Sequence, residues 1–352
     1  MRTKKIDNKK PLTLEDVARE IGVSRSTVSA AFTGNGNITA ARREAVRSAA
    51  VKLGYRPNPH ARRLAIGDQD NSIALVTSYL DLDVGSQKLH ILQRILIEKG
   101  YNASVHVLGE IIMSESTAQA VVIENLRRLR PLAIVWNQWM VNKAARDELN
   151  RFCEEGGRMV HYDVPIDLKC DQVIFDRERD GYLAMRHLLE LGHREVGFVI
   201  PPEDQWRIRG IRRALEEFNV PLRPVWLDVP RKGKYEEAGG HLAAFFLAQK
   251  PRPTAISIVN DNVSIGFVAA LQRRGLRVPE DVSVVSHNDT RVAKWGANVQ
   301  LTSVSQPIDR IAEQAGELLL NRLQGKYDGP PQTVTVRGKL SVRESTAPFT
   351  KR

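Results

Sequence analysis

The chain has 352 residues, of which 42% are hydrophobic and 26% charged, and carries a formal net charge of +11. That length exceeds one ordinary core and implies two or three domains, and the composition is that of a soluble protein. No apolar run is long enough to span a bilayer, which argues against a membrane partner, and the Lys-rich N-terminus lacks the apolar stretch of a secretory signal. Two cysteines, Cys153 and Cys170, show no metal-ligand spacing and fit a reducing cytoplasm better than a disulfide framework.

The first predicted element is a pair of short helices in residues 13–30. Thr13 is a good N-cap with Asp16 three residues on, as in a capping box. Leu14, Val17, Ala18 and Ile21 follow helical spacing and make one apolar face. Gly22 marks a sharp turn, and Ser24 can cap the second helix. Val28 then points to a core, which leaves Arg25, Ser26, Ser29 and Ala30 for solvent or a ligand. A helix presented in this way fits the DNA major groove. Charge agrees: residues 1–66 hold 14 Lys and Arg against 5 Asp and Glu, a net of +9, and the rest of the chain only +2. A basic excess this local is a footprint for phosphates. The plainer alternative is a helical cap with a solvated basic face.

A third helix is expected from Thr39 to Leu53, with Thr39 as N-cap and Gly54 as its stop. After a break at 55–57, Asn58 and Pro59 can start one or two further turns over 59–64, a length that forms only against a partner surface. Residues 67–71 read as a polar linker. From Ser72 the texture becomes alternating strands and helices. Strands are expected at 73–76, 103–107, 133–136, 159–162, 172–175, 196–200, 255–259 and 282–286, with helices that include 180–191, 206–218, 235–248, 264–274 and 309–323. Such alternation implies parallel sheets covered on both faces, and the strand number suits two lobes with a cleft between them.

The motif Thr13-Leu14-x-Asp16-Val17-Ala18…Gly22-Val23-Ser24-x-x-Thr27-Val28-Ser29 resembles the head-piece of the LacI/GalR family of transcription regulators. The resemblance continues through Leu53-Gly54-Tyr55-x-Pro57-Asn58, His187-Leu188-x-x-Leu191-Gly192-His193-Arg194, Val278-Pro279-x-Asp281-Val282-Ser283-Val284 and Val342-Arg343-Glu344-Ser345-Thr346, in family order over nearly the whole chain. It implies an all-α helix-turn-helix head (1–57), a hinge helix and linker (58–71), and a two-lobed α/β core (72–352) like the periplasmic sugar-binding proteins. The lobes are expected at 72–167 with 304–328 and at 168–303 with 329–352, joined by crossovers near 164–171, 303–306 and 326–332. It also implies a homodimer on a two-fold symmetric double-stranded DNA operator, a small-molecule effector between the lobes, and no cofactor.

Residue by residue, the resemblance places Thr13, Ser24, Arg25, Ser26, Thr27, Ser29 and Ala30 at the DNA interface, with Arg25, Ser26 and Ala30 reading bases. Arg25 can donate twice to guanine, whereas Ala30 offers only a methyl group. Leu64 matches the residue that wedges into the minor groove, with Asn58, Ala61 and Arg62 beside it. For the effector, Arg207 matches an Arg that grips hydroxyl or carboxylate oxygens, and Tyr235 an aromatic that stacks on a ring. Asn260 and Asn288 stand at carboxyl ends of strands, where open sheets bind ligands. Asp83, Trp136 and Asp163 are assigned to the first lobe. Where the family usually has Gly-x-Asp-Asp, this chain reads Ser286-His287-Asn288-Asp289, which removes a negative charge.

An enzyme is the main rival class. The chain has no Gly-x-Gly-x-x-Gly after a strand, no Gly-x-x-x-x-Gly-Lys loop and no Gly-x-Ser-x-Gly elbow, and its histidines lack metal-ligand spacing. A DNA-binding architectural protein without effector control is the other rival, and it needs no binding-protein core.

Overall fold

A computed structural model describes residues 13–33, 38–55, 71–77, 83–108, 116–137, 141–222, 235–296 and 298–351. The chain forms two compact units, one up to Asp70 and one from Asn71 onward.

The first unit contains helices α1 (Leu14–Glu20), α2 (Arg25–Thr33) and α3 (Ala40–Leu53). The Thr13 N–H and hydroxyl both donate to the Asp16 carboxylate at 2.8 Å, which fixes the start of α1. The Ser24 hydroxyl accepts from Thr27 N–H at 3.1 Å and starts α2. Thr39 caps α3 by accepting from Arg42 N–H, and Gly54, at φ 74°, returns its N–H to Ala50 and Val51 in the left-handed stop that only glycine adopts freely. Val17, Ala18, Val28, Ala31, Val46 and Ala50 close one small core.

The second unit holds two sheets. The first has the order β10-β5-β4-β3-β1-β2, built from β1 (Ser72–Thr77), β2 (Asn102–Val107), β3 (Ala133–Asn137), β4 (Arg158–Asp163), β5 (Asp171–Phe175) and β10 (Thr333–Val336), and all its pairings are parallel. Strand alternation divides its side chains between two cores. Ile73, Leu75, Ala133 and Val135 face α4 (Asp83–Glu98) and α12 (Ile308–Leu323). Ala74, Val76, Ile134 and Trp136 face α5 (Ser116–Arg128) and α6 (Lys143–Glu154).

The second sheet has the order β11-β9-β8-β7-β6, from β6 (Val196–Val199), β7 (Ala255–Ile258), β8 (Ser283–Asn288), β9 (Thr302–Ser305) and β11 (Leu340–Ser341), the last antiparallel to its neighbour. Helices α7 (Arg177–Glu190), α8 (Gln205–Glu217), α9 (Tyr235–Ala248), α10 (Asp261–Gln272) and α11 (Arg291–Trp295) accompany it. Gly181 and Gly210 let α7 and α8 touch: a Cβ on Gly210 would lie 1.8 Å from the Glu178 carbonyl oxygen, and one on Gly181 2.3 Å from that of Arg207.

The sheets place the lobe boundaries later than the sequence suggested. β5 pairs with β4, so the chain stays in the first lobe through Phe175, and residues 164–170 form a loop between neighbouring strands instead of a crossover. The second crossover is Gln306–Pro307, between β9 and α12. The third is Arg337–Lys339, because β10 adds to the edge of the first sheet before β11 joins the second. No helix of the described residues is long and apolar enough to cross a membrane.

Candidate functional sites

In the head, the first turn of α2 carries the surface assigned to DNA. Ser24, Arg25 and Ser26 are exposed, and Thr27, Ser29 and Ala30 are half-buried beside the buried Val28. The Ser24 hydroxyl also shares hydrogen bonds with those of Ser26 (2.7 Å) and Thr27 (2.8 Å), so the turn presents ordered hydroxyls beside the Arg25 guanidinium. No acidic residue occupies this turn, and the positive end of a helix favours phosphate. Thr13 is exposed at the start of α1. Asn58, Ala61, Arg62 and Leu64 lie outside the described residues.

In the core, the strand orders β1-β3-β4-β5 and β6-β7-β8-β9 correspond, so Asp163 and Asn288 occupy matching carboxyl ends of β4 and β8. Both are held at positive φ, 101° for Asp163 and 99° for Asn288. Such backbone is costly outside glycine and persists where surrounding contacts over-determine it. Those contacts are present. The Asp163 carboxylate accepts from Lys88 Nζ (2.7 Å), Arg177 Nη2 (3.0 Å) and Gln306 Nε2 (2.9 Å). The Gln306 backbone N–H donates to the Asn288 carbonyl oxygen at 3.1 Å. One crossover residue thus ties both matching positions.

The charges continue into the second lobe. Arg177 Nη1 donates to Asp204 at 2.9 Å, and Arg207 Nη1 donates to the same oxygen at 3.2 Å. Arg207 Nε donates to Asp180, whose other oxygen accepts from His287 Nδ1 at 2.9 Å. His287 Nε2 faces the Ser257 hydroxyl at 3.0 Å, so Ser257 donates there when the ring is neutral. These charged groups are nearly without solvent access: Lys88 is 0%, Asp163 5%, Arg177 5%, Asp204 0%, Arg207 3% and Asp180 2% exposed.

Burial alone would raise the Asp163 and Asp180 carboxyls, and the groups that face them reverse it. Lys88 and Arg177 hold Asp163 well below the usual carboxylate range. Arg207 and His287 bring Asp180 down to about 2. For Lys88 burial prevails over its attraction to Asp163, and its pKa is lowered. Three carboxylates against two guanidiniums and one ammonium make a neutral set that can be buried only because each charge is paired.

Arg207 and Asp163 therefore meet in one continuous chain of side chains, and Asn288 joins it through Gln306. Asn260 does not take part: its Oδ1 accepts from Val263 N–H at 2.9 Å and caps α10. Trp136 is fully buried in the apolar cluster against α5 and α6, and its indole N–H has no hydrogen-bond partner among the described residues. Asp83 and Tyr235 are the first residues of α4 and α9; their side chains lie outside what the structure describes. The sequence reading did not single out Lys88, Arg177, Asp180 or Asp204. Signals existed: Lys88 shares a helical stripe with Leu92 and Leu96, both fully buried, and Asp204 precedes Arg207 by three residues at a helix start.

Comparisons with known proteins agree with both units. The family described as bacterial regulatory proteins, lacI family, matches residues 13–58, and the periplasmic binding protein-like domain matches residues 185–346. The HTH-type transcriptional repressor PurR of Yersinia pestis (strain Pestoides F) is 29% identical over 350 residues, which cover 95% of this chain and 97% of the relative. The lac repressor dimer bound to operator and the anti-inducer ONPF superposes with a TM-score of 0.74 at 27% identity, covering 96% of this chain and 100% of that one. The transcriptional regulator CelR in complex with cellobiose gives 0.68 at 25% identity over 95% of this chain and 99% of its own. With a head and a core that match the same group of proteins in the same order, the chain belongs to the LacI/GalR family of transcription regulators.

Proposed function

We infer that this chain is a cytoplasmic, ligand-responsive transcription repressor that binds a two-fold symmetric operator as a homodimer. A small polar effector, sugar-like or a related metabolite, binds between the lobes and alters DNA affinity. The observation that carries this reading is the pairing in one chain of a helix-turn-helix head, its α2 turn exposed and basic, with a two-lobed core whose strand ends converge on polar side chains. Neither an enzyme nor an architectural DNA binder accounts for both halves.

In the head, we assign base reading to Arg25, Ser26 and Ala30, phosphate contacts to Thr13, Ser24, Thr27 and Ser29, and minor-groove contacts to Asn58, Ala61, Arg62 and Leu64. In the core, effector contact falls to Arg207, Asp163 and Asn288, supported by their convergence at the crossovers, with Asp83, Trp136, Tyr235 and Asn260 as further assigned positions.

Selection of bound fragments from a random duplex library tests the first half. The expected product is a palindromic site whose affinity falls with salt as phosphate contacts imply; recovery of sequence-unrelated fragments contradicts a specific regulator. A thermal-shift screen with monosaccharides and nucleobases tests the second half. A ligand that raises the melting temperature and changes operator affinity is expected, since linkage makes the two effects reciprocal.

A further inference from the structure

We propose that the ion-pair chain Asp163–Arg177–Asp204–Arg207–Asp180 is a built-in latch that fixes the two lobes at their crossovers. Asp163 ends β4 in the first sheet, whereas Arg177 opens α7 and Asp204 caps α8 in the second lobe. The Asp163–Arg177 contact at 3.0 Å thus passes from one lobe to the other immediately beside Asp176, the first crossover, which joins β5 to α7. Gln306, in the second crossover, donates to the same Asp163 oxygen. The crossovers are also bonded to the strand ends beside them: Asp176 N–H donates to the carbonyl of Val336, the last residue of β10, at 2.9 Å, and the N–H of Ser305, the last residue of β9, to that of Lys339 at 2.8 Å. A rotation of one lobe against the other about an axis that does not pass through this contact stretches Asp163 away from Arg177. Breaking that pair leaves each side balanced, Asp163 with Lys88 and Arg177 with Asp204, so the strength of the latch is that of a charge-assisted hydrogen bond made in a site this dry.

The chain also reaches the residue assigned to the effector. Arg207 gives Nε to Asp180 and Nη1 to Asp204, so the protein's own carboxylates occupy two edges of the guanidinium. On the reading of Arg207 as an effector contact, a ligand that draws this fork away from either Asp pulls on the groups that tie the lobes. Effector binding and lobe movement then share one set of bonds.

Hydrogen exchange on the full chain tests the latch without operator or effector. Arg177→Met severs the bridge and leaves Lys88 paired with Asp163 in the first lobe. Arg177→Met with Asp204→Asn severs it too, and also matches Arg207 with the single carboxylate of Asp180, so both lobes stay balanced in charge. The amides of Asp176, Ser305, Gln306 and Lys339 report on the crossovers, and those of Leu75 and Ile256, in β1 and β7, report on the sheet centres. The expected result is crossover exchange at least tenfold faster in both variants, with sheet-centre exchange in the double variant at the parental rate. Parental crossover protection in either variant overturns the latch. Equal acceleration of crossover and sheet-centre amides in the double variant overturns it too, because the network would then act through global stability alone.

Discussion

Arg207 commits its guanidinium to the protein, and that alters what its removal should do. Truncation to alanine leaves Asp180 and Asp204 buried with one cation fewer between them. The loss of one partner from a buried pair costs roughly 3–5 kcal/mol. Arg207→Ala should therefore lower the unfolding free energy of the core by about that amount in urea titrations, in addition to removing any response to effector. A variant as stable as the parent would mean that water or a rearranged side chain takes over the role of Arg207. Arg25 is the opposite case: it is exposed, and its neighbours are hydroxyls. Arg25→Ala should leave the melting temperature of the chain unchanged and weaken operator binding by about 1–3 kcal/mol if it reads a guanine. Anisotropy titration against the selected operator measures this, and loss of affinity without loss of base preference would reassign Arg25 to phosphate.

At the scale of elements, α7 and α8 show how a glycine pair sets the site. Their first turns carry Arg177, Asp180, Asp204 and Arg207, and these side chains meet only because the helix backbones approach at Gly181 and Gly210. Gly210→Ala forces Cβ against the Glu178 carbonyl and must push the helices apart. The expected cost is about 1–3 kcal/mol, as for overpacking elsewhere, read as a lower urea midpoint; an unchanged midpoint would show that α8 can slide without loss. The sequence carried the elements well because apolar spacing and stop residues are local: the third helix starts after Thr39 and stops at Gly54 as its sequence implies, and β1, β3 and β7 stand out as apolar runs. The lobe boundaries were harder. Val173 and Phe175 suit either sheet, and only pairing with β4 assigns them to the first. The ionic chain was harder still, because Lys88 and Asp163 are 75 positions apart and Asp180 and His287 107 apart. Arg207 and Asp163 were readable through resemblance, but the acids that surround Arg207 follow from how two helices pack.

For the whole molecule, the neutral ionic chain predicts how the core answers to acid. Asp163 and Asp180 have folded pKa values below their unfolded values, which lie near 4. Their contribution to stability is complete above that unfolded value and is lost as pH falls from there toward about 2, because the unfolded chain then binds protons that the folded chain refuses. Asp261 has the opposite sign. Burial raises its pKa even though Thr290 and Ser303 donate to it, so protonation there favours the folded state at low pH. The two depressed carboxyls sit in direct contact with cations, and the rise at Asp261 is moderated by its hydrogen bonds. The net effect should be a core that holds its melting temperature from pH 7 to 5 and loses it steeply between 4 and 2. Calorimetry across that range checks the sign. Asp180→Asn removes one of the two refusing groups, so this variant should start less stable at pH 7 and show a shallower decline below pH 4. A parental melting temperature that stays constant from pH 5 to 3 would mean that the chain of charges is open to water and contributes little to the stability of the core.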